Sequence, residues 1–334
     1  SHQTDFGLDF GFFGNSLQLT ADYFYKRTEG MLQVMPVPTY LGESKPWGNV
    51  GEMSNSGIEL DMNYRYSIGD FNFSIGANAT YIKTILINAG NETGILDGGS
   101  FHQMGTITRG QNGMVYPYFY GYKTDGVFQN WDEVNSYVGA DGSLIQPSAQ
   151  PGDFRYQDLN GDGSITAEGD RTNLGKCVPA WTFGFNVGFD WKGIDFSMIW
   201  QGVAGNKIFD ATRRTDIPTM NQPKYVLNRW TGEGSTNAYP RFTTTDPNQN
   251  WSKASDFFIK DASYFRLKNI TLGYTLPYNW TKKVFVKKLR VYVAAENLLT
   301  LTKYDGFDPE IAGYMDRGIY PQARTFQFGA SITF

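Results

Sequence analysis

Thr325-Phe326-Gln327-Phe328-Gly329-Ala330-Ser331-Ile332-Thr333-Phe334 alternates without a break. Phe326, Phe328, Ala330, Ile332 and Phe334 share one parity, while Thr325, Gln327, Gly329, Ser331 and Thr333 share the other. Side chains along a strand point alternately to opposite faces, so the stretch is a ribbon with one oily side and one small, polar side. An exposed aromatic strand edge invites aggregation in water. In a membrane barrel the same pattern is expected, because lipid meets one face, water meets the other, and closure removes the edge.

Working back from that ribbon, the same alternation recurs. Phe6 to Phe12 and Leu17 to Tyr25 form a hairpin around Gly14-Asn15-Ser16. Ile58 to Ile68 and Phe71 to Tyr81 form a second, turned at Ile68-Gly69-Asp70. Its second face carries Glu59, Asp61 and Arg65, tolerable only where that face sees water. Trp181 to Trp191 and Ile194 to Trp200 form a third around Lys192-Gly193, with tryptophan at both ends as in an aromatic belt. From Ser263 to Leu276 the apolar parity slips between Leu267 and Ile270, which predicts a bulge near Lys268-Asn269. Leu289 to Ala295 precedes the terminal ribbon.

Connections alternate between short (13–16, 68–70, 192–193, 277–288) and long (27–54, 85–180, 203–260, 303–322). Outer-membrane barrels pair short periplasmic turns with long extracellular loops in this way. The direction of the flanking strands requires an even number of crossings within 85–180, most simply zero. The aromatic run Tyr116 to Phe128 is therefore assigned to an extracellular excursion, as is 203–260. The reading gives about nine spanning strands. An open sheet of that size leaves unpaired edges in hydrocarbon, so the expectation is the C-terminal portion of a larger antiparallel barrel, any plug domain lying outside residues 1–334.

Composition agrees with an all-β chain: 334 residues are 16% aromatic and include 38 Gly. No apolar run reaches the roughly 18 residues of a spanning helix. A net charge of −4 argues against nucleic acid as a partner. The single cysteine, Cys177, excludes an internal disulfide.

Several segments resemble the SusC/RagA family of TonB-dependent outer-membrane transporters. They are Phe119-Tyr120-Gly121-Tyr122-Lys123-Thr124-Asp125-Gly126-Val127-Phe128 and the run from Pro151-Gly152-Asp153-Phe154 through Asp158-Leu159-Asn160-Gly161-Asp162-Gly163. Arg171 to Gly175 with Pro179 and Trp181, Tyr264 to Tyr274, and Ala295-Glu296-Asn297-Leu298-Leu299-Thr300 continue in family order. Gln327, Gly329, Ile332 and Phe334 resemble the C-terminal signal that outer-membrane barrels present to their assembly machinery. The resemblance implies a barrel of about 22 strands around an N-terminal plug. It also implies a bacterial outer-membrane location, energisation by TonB and a SusD-like surface lipoprotein lid. The implied activity is import of a bulky nutrient, glycan or peptide. Two rivals are a passive porin or adhesin barrel and a secreted, calcium-dependent glycan-binding β-sandwich.

Asp158-Leu159-Asn160-Gly161-Asp162-Gly163-Ser164 matches the start of an oxygen-rich calcium loop. Asp158, Asn160 and Asp162 would ligate Ca²⁺ through side chains and Ser164 through its carbonyl. The twelfth position is Gly169, so closure falls to Asp170 one residue later. The alternative is a polar loop held by Asx turns. No nucleophile constellation or phosphate loop is present, and His2 and His102 are the only histidines; catalysis is not expected. Trp131, Tyr137, Tyr225, Trp230, Tyr239, Trp251, Tyr314 and Tyr320 in the long loops offer stacking faces for sugars or peptides, or pack the loops themselves.

Overall fold

The computed structural model describes residues 1–34, 46–213 and 221–334. Met35-Pro36-Val37-Pro38 of the first long connection lies outside the described residues, as does 214–220 of the third.

Nine strands form one antiparallel sheet in chain order. They are β1 (His2–Phe12), β2 (Leu17–Val34), β3 (Trp47–Ile68), β4 (Phe71–Asn88), β5 (Trp181–Trp191), β6 (Ile194–Ala204), β7 (Tyr264–Thr275), β8 (Lys288–Thr302) and β9 (Thr325–Thr333). Every neighbouring pair is antiparallel, and β4 pairs directly with β5, Trp181 facing Tyr81 and Trp191 facing Phe71. The sheet is a partial barrel whose edges are β1 and β9. Tight turns need positive φ, and Lys192 (+47°) and Gly193 (+89°) supply it between β5 and β6.

The oily parity is exposed along the sheet: Phe6, Leu8, Phe10, Ile58, Leu60, Trp181, Trp191, Leu272, Val291, Val293, Phe326 and Phe328 all lie open. Among the described residues no second sheet covers them, which removes the β-sandwich reading. Rings pack in clusters along this face, with Phe189–Phe196 at 5.2 Å in one and Trp200–Phe265 at 4.7 Å in another. The parity slip in β7 is a bulge: Lys268 has no partner where Ile199 and Trp200 meet Asn269 and Leu267. That extra residue returns Phe265 and Leu267 to the oily face beside Ile270 and Leu272.

Two boundaries differ from the sequence reading. Residues 27–34 and 47–54, read as loop, continue β2 and β3 as a paired ladder, Arg27 facing Ser54 and Val34 facing Trp47. β3 reaches 22 residues, about 70 Å at ~3.3 Å per residue, whereas a crossing needs about 9–11 tilted residues. Beyond the bilayer both faces are wet, so the ladder persists without apolar alternation and the pattern gives no sign of it.

The second difference is internal order in the excursions. Within 85–180, Ile95–Asp97, Thr108–Gln111, Tyr118–Tyr122 and Arg171–Lys176 form their own four-stranded sheet, and α1 spans Trp131–Ser136. Asn130 caps α1 through its side chain, accepting from the Glu133 N–H. Tyr118–Tyr122 is wholly buried, within this small sheet rather than the large one.

The hydrophobic core of the chain lies in the excursions, not in the sheet. Phe101, Ile107 and Phe119 from one, Phe209, Trp251 and Phe258 from the next, and half-buried Tyr314 and Met315 from the last pack together. Met315–Asp316 pairs in parallel with Phe209–Asp210. The long connections thus form a packed roof at one end of a one-layer wall.

Candidate functional site

The wall's second face is small and polar. Gly7, Asp22, Glu59, Thr80 and Thr182 stand in one cross-strand row, and Thr20, Asp61, Asn78 and Gly184 in the next. Asp22 and Glu59 are directly opposed like charges. Such a pair is tolerable only at high dielectric, so this face borders water. Asp61 accepts from Asn63, and Asp22 faces Glu59.

The roof is stitched by buried polar side chains. Phe154–Tyr156 pairs with Thr124–Val127 on one edge. On the other edge, side chains substitute for a strand. Asn250 accepts from the Phe154 N–H at 2.9 Å, Gln146 accepts from the Tyr156 N–H at 2.7 Å, and Gln146 and Asn248 both donate to the Phe154 carbonyl at 3.0 Å. Asp153, fully buried, is held by Arg241 (2.6 Å) and Asn250 (2.8 Å). The segment Pro151 to Tyr156 is therefore an anchoring element, since every buried polar group there is answered.

A second anchor ties the last connection to the β7 bulge. Arg266, 3% exposed, donates to Asp308 (2.5 Å), Glu310 (2.7 Å) and Thr300 (2.9 Å). Lys268, displaced by the bulge, reaches both Glu310 oxygens at 2.8 Å. Asp308 also accepts from the Glu310 and Gln322 N–H groups. Burial pushes the Asp308 carboxyl up, but the hydrogen bond from Arg266 and these N–H groups outweigh it and hold the group below the usual carboxylate range.

Between these anchors the roof holds a cavity of about 420 Å³, bordered by Asp210, Thr212, Lys224, Tyr225, Tyr239, Lys260, Tyr304, Asp305 and Phe307. Tyr225 and Tyr239 stand 6.2 Å apart. The Tyr225 hydroxyl is buried with no hydrogen-bond partner among the described residues, and burial pushes its phenol up. Lys260 and Asp305 approach to 3.9 Å. Aromatic faces and charges of both signs can hold an amphipathic ligand. Asp210, Lys260 and Asp305 come from three separate segments, and no sequence signal groups them.

The predicted calcium residues form a closed loop. Asp158 accepts from the Gly161 (2.7 Å) and Gly163 (2.8 Å) N–H groups. Asn160 accepts from Asp162 N–H, and Asp162 from the Ser164 N–H and hydroxyl. Asp170, fully buried, accepts from Leu159 (2.7 Å) and Thr166 (2.6 Å). Side-chain hydrogen bonds from Asn160 and Ser164 hold the Asp162 carboxyl below its usual range. Among the described residues no group of three or more His, Cys, Asp or Glu side chains is arranged to hold a metal.

The loop aromatics divide. Tyr137 donates to the Tyr156 carbonyl, Trp251 is buried against Phe257 at 5.5 Å, and Tyr314 packs on Phe119 at 6.1 Å. Trp230, half-buried, packs with the Tyr122–Tyr156 cluster. Trp131 and Tyr320 stand exposed, while Tyr225 and Tyr239 are half-buried and pack on Phe257 at the cavity. His102 packs on the Phe101 ring at 4.3 Å. Cys177 is buried in the roof core.

A family profile described as "TonB dependent receptor-like, beta-barrel" matches residues 1–298. The TonB-dependent receptor P3 of Formosa agariphila is 31% identical over 353 residues, covering 100% of this chain and 34% of the relative. The TonB-dependent receptor SusC of Bacteroides thetaiotaomicron is 26% identical over 342 residues, covering 98% of this chain and 31% of the relative. Among solved structures, the RagAB peptide importer in its open-open state superimposes with a TM-score of 0.77 at 25% identity, over 99% of this chain and 34% of that one. The chain thus spans about a third of the length of the relatives it matches.

Proposed function

The chain belongs to the TonB-dependent receptor β-barrel family, a family of outer-membrane transporters rather than enzymes, and from that premise we propose that it forms the C-terminal wall and roof of an energised importer. In this reading residues 89–180, 205–263 and 303–324 face the exterior, and the short turns face the periplasm. The imported molecule is a bulky nutrient, glycan or peptide. TonB drives the cycle through parts of the protein beyond these residues, and a SusD-like lipoprotein covers the roof.

One observation carries the reading: a nine-stranded wall, oily on one side and polar on the other, closed at one end only by a packed loop assembly. A passive pore needs no such roof. The cavity between Tyr225, Tyr239, Lys260 and Asp305 favours peptide over glycan, because stacking faces sit beside a lysine and an aspartate that a charged peptide can engage and a neutral glycan cannot. RagAB, the structural neighbour, is a peptide importer.

The test is uptake by cells carrying the full-length gene, with a labelled oligopeptide and a labelled oligosaccharide offered in parallel. Peptide uptake is expected, abolished by loss of TonB and by loss of the partner lipoprotein. Uptake indifferent to TonB would make the protein a passive pore and overturn the reading.

A further inference from the structure

At the short-turn end, the connection between β7 and β8 differs from the others. Pro277 to Lys288 contains a short helix, α2 (Tyr278–Thr281), and a 3-10 turn, Lys282–Val284. The segment is ordered by its own backbone. Trp280 donates to the Pro277 carbonyl (2.9 Å), Val286 to Thr281 (3.2 Å), and Lys287 to Thr333 of β9 (2.8 Å). Yet its apolar side chains point outward: Tyr278, Trp280 and Val284 are exposed, and Phe285 is 90% exposed. Lys282, Lys283, Lys287 and Lys288 stand among them, and no acidic residue falls within 277–288. The nearby acid Asp195 is occupied by Arg290, whose guanidinium binds both its oxygens.

Directly along the wall from this turn, on the oily face, lies an open groove of about 550 Å³. Ile194, Leu272, Tyr274, Val291, Val293 and Phe328 line it. Lys287, the last residue before β8, is four residues from Val291, about 13 Å along the chain. A phospholipid has this same layout, an anionic head and, about one headgroup deeper, an alkyl chain.

We propose that the β7–β8 turn and the groove beside it form a binding site for an anionic phospholipid of the periplasmic leaflet, the headgroup phosphate among the lysines and one acyl chain in the groove. Tyr278 and Trp280 sit at the depth where amphipathic rings favour the membrane interface. Lys288 starts β8 on the watery face, but Lys282, Lys283 and Lys287 have no ion-pair partner among the described residues, so an anionic headgroup is the complement they lack. A soluble periplasmic partner would answer the charge but leave the groove unexplained. A neutral lipid would fill the groove but leave the charge.

The experiment uses the full-length transporter, reconstituted with spin-labelled phosphatidylglycerol or spin-labelled phosphatidylcholine. A preference for phosphatidylglycerol is expected, each lysine contributing roughly fivefold before screening. The preference should collapse in 0.5 M salt and in K282A/K283A/K287A, while K282R/K283R/K287R retains it. Heat-modifiable gel mobility confirms that each variant is folded. An undiminished preference in the alanine variant would overturn the site. So would equal competition by free glycerophosphate, which would mean a phosphate site without a lipid, or co-purification of an acidic periplasmic protein that displaces the lipid.

Discussion

Replacing Arg266 with methionine isolates the anchor between the wall and the last connection. Methionine keeps much of the volume and removes the charge. Asp308, 4% exposed, then loses its 2.5 Å partner and keeps only the Glu310 and Gln322 N–H groups. Glu310 keeps Lys268 at 2.8 Å. Breaking a buried ion pair from one side costs about 3–5 kcal/mol. With two N–H donors remaining, the lower end applies, and about 3 kcal/mol corresponds to a roughly 150-fold shift in local opening. The wall pairs through backbone ladders independent of Arg266, so the loss should appear as opening of 303–324 rather than unfolding of the sheet.

Acidification tests the same contact. Arg266 and the N–H groups hold the Asp308 carboxyl below its ordinary value against the upward push of burial. A depressed carboxylate contributes stability that is present above the unfolded value, near 3.9, and is lost as pH falls through the folded one. In R266M the chief opposing hydrogen bond is gone while burial persists, so protonation, and with it loss of the contact, begins at higher pH. The assay is backbone hydrogen exchange over 303–324 in detergent-extracted full-length protein, across a pH series. Lys268→Ala, part-exposed, should cost only about 0–1 kcal/mol. Unchanged protection in R266M, or equal losses in R266M and K268A, would falsify the anchor.

Three further outcomes are expected. Val187→Arg, on the oily face between Trp181 and Trp191, should cost about 2–4 kcal/mol in folding equilibria in lipid, and Ser197→Arg on the watery face, opposite Gly188 and Thr271, close to none; equal costs would mean the faces are misassigned. Ca²⁺ is the ion that Asp158, Asn160, Asp162, Ser164 and Asp170 offer to bind, and the oxygens of Asp158 and Asp170 already accept the loop's own N–H groups. Chelation should therefore leave protease resistance across 158–170 unchanged, while Asp170→Ala should open it; chelator-induced cleavage would show that the metal closes the loop. Burial pushes the Cys177 thiol up, so a maleimide at pH 7–8 should label native protein at least about 100-fold more slowly than unfolded protein, and prompt labelling would contradict its place in the roof core.

The wall was legible in the sequence because its constraint is local. Lipid on one side and water on the other impose a two-residue period, visible in Phe326 to Phe334 or Trp181 to Trp191 without knowing any neighbour. The bulge at Lys268 was legible for the same reason, since a parity slip must be absorbed somewhere. Where that constraint lapses, so does the signal: β2 and β3 run on past Arg27 and Ser54 by backbone pairing alone, with no pattern to announce it. The roof obeys no period. Phe119, Phe209 and Tyr314 meet only because three separate excursions return to the same end of the wall, and Asp210 and Lys260 border one cavity with Asp305 because two of them do. The aspartates of 158–170 were legible as oxygen donors, but which hydrogens they accept depended on the turn the glycines allow. Alternation is written along the chain; contact between segments a hundred residues apart is written only in three dimensions.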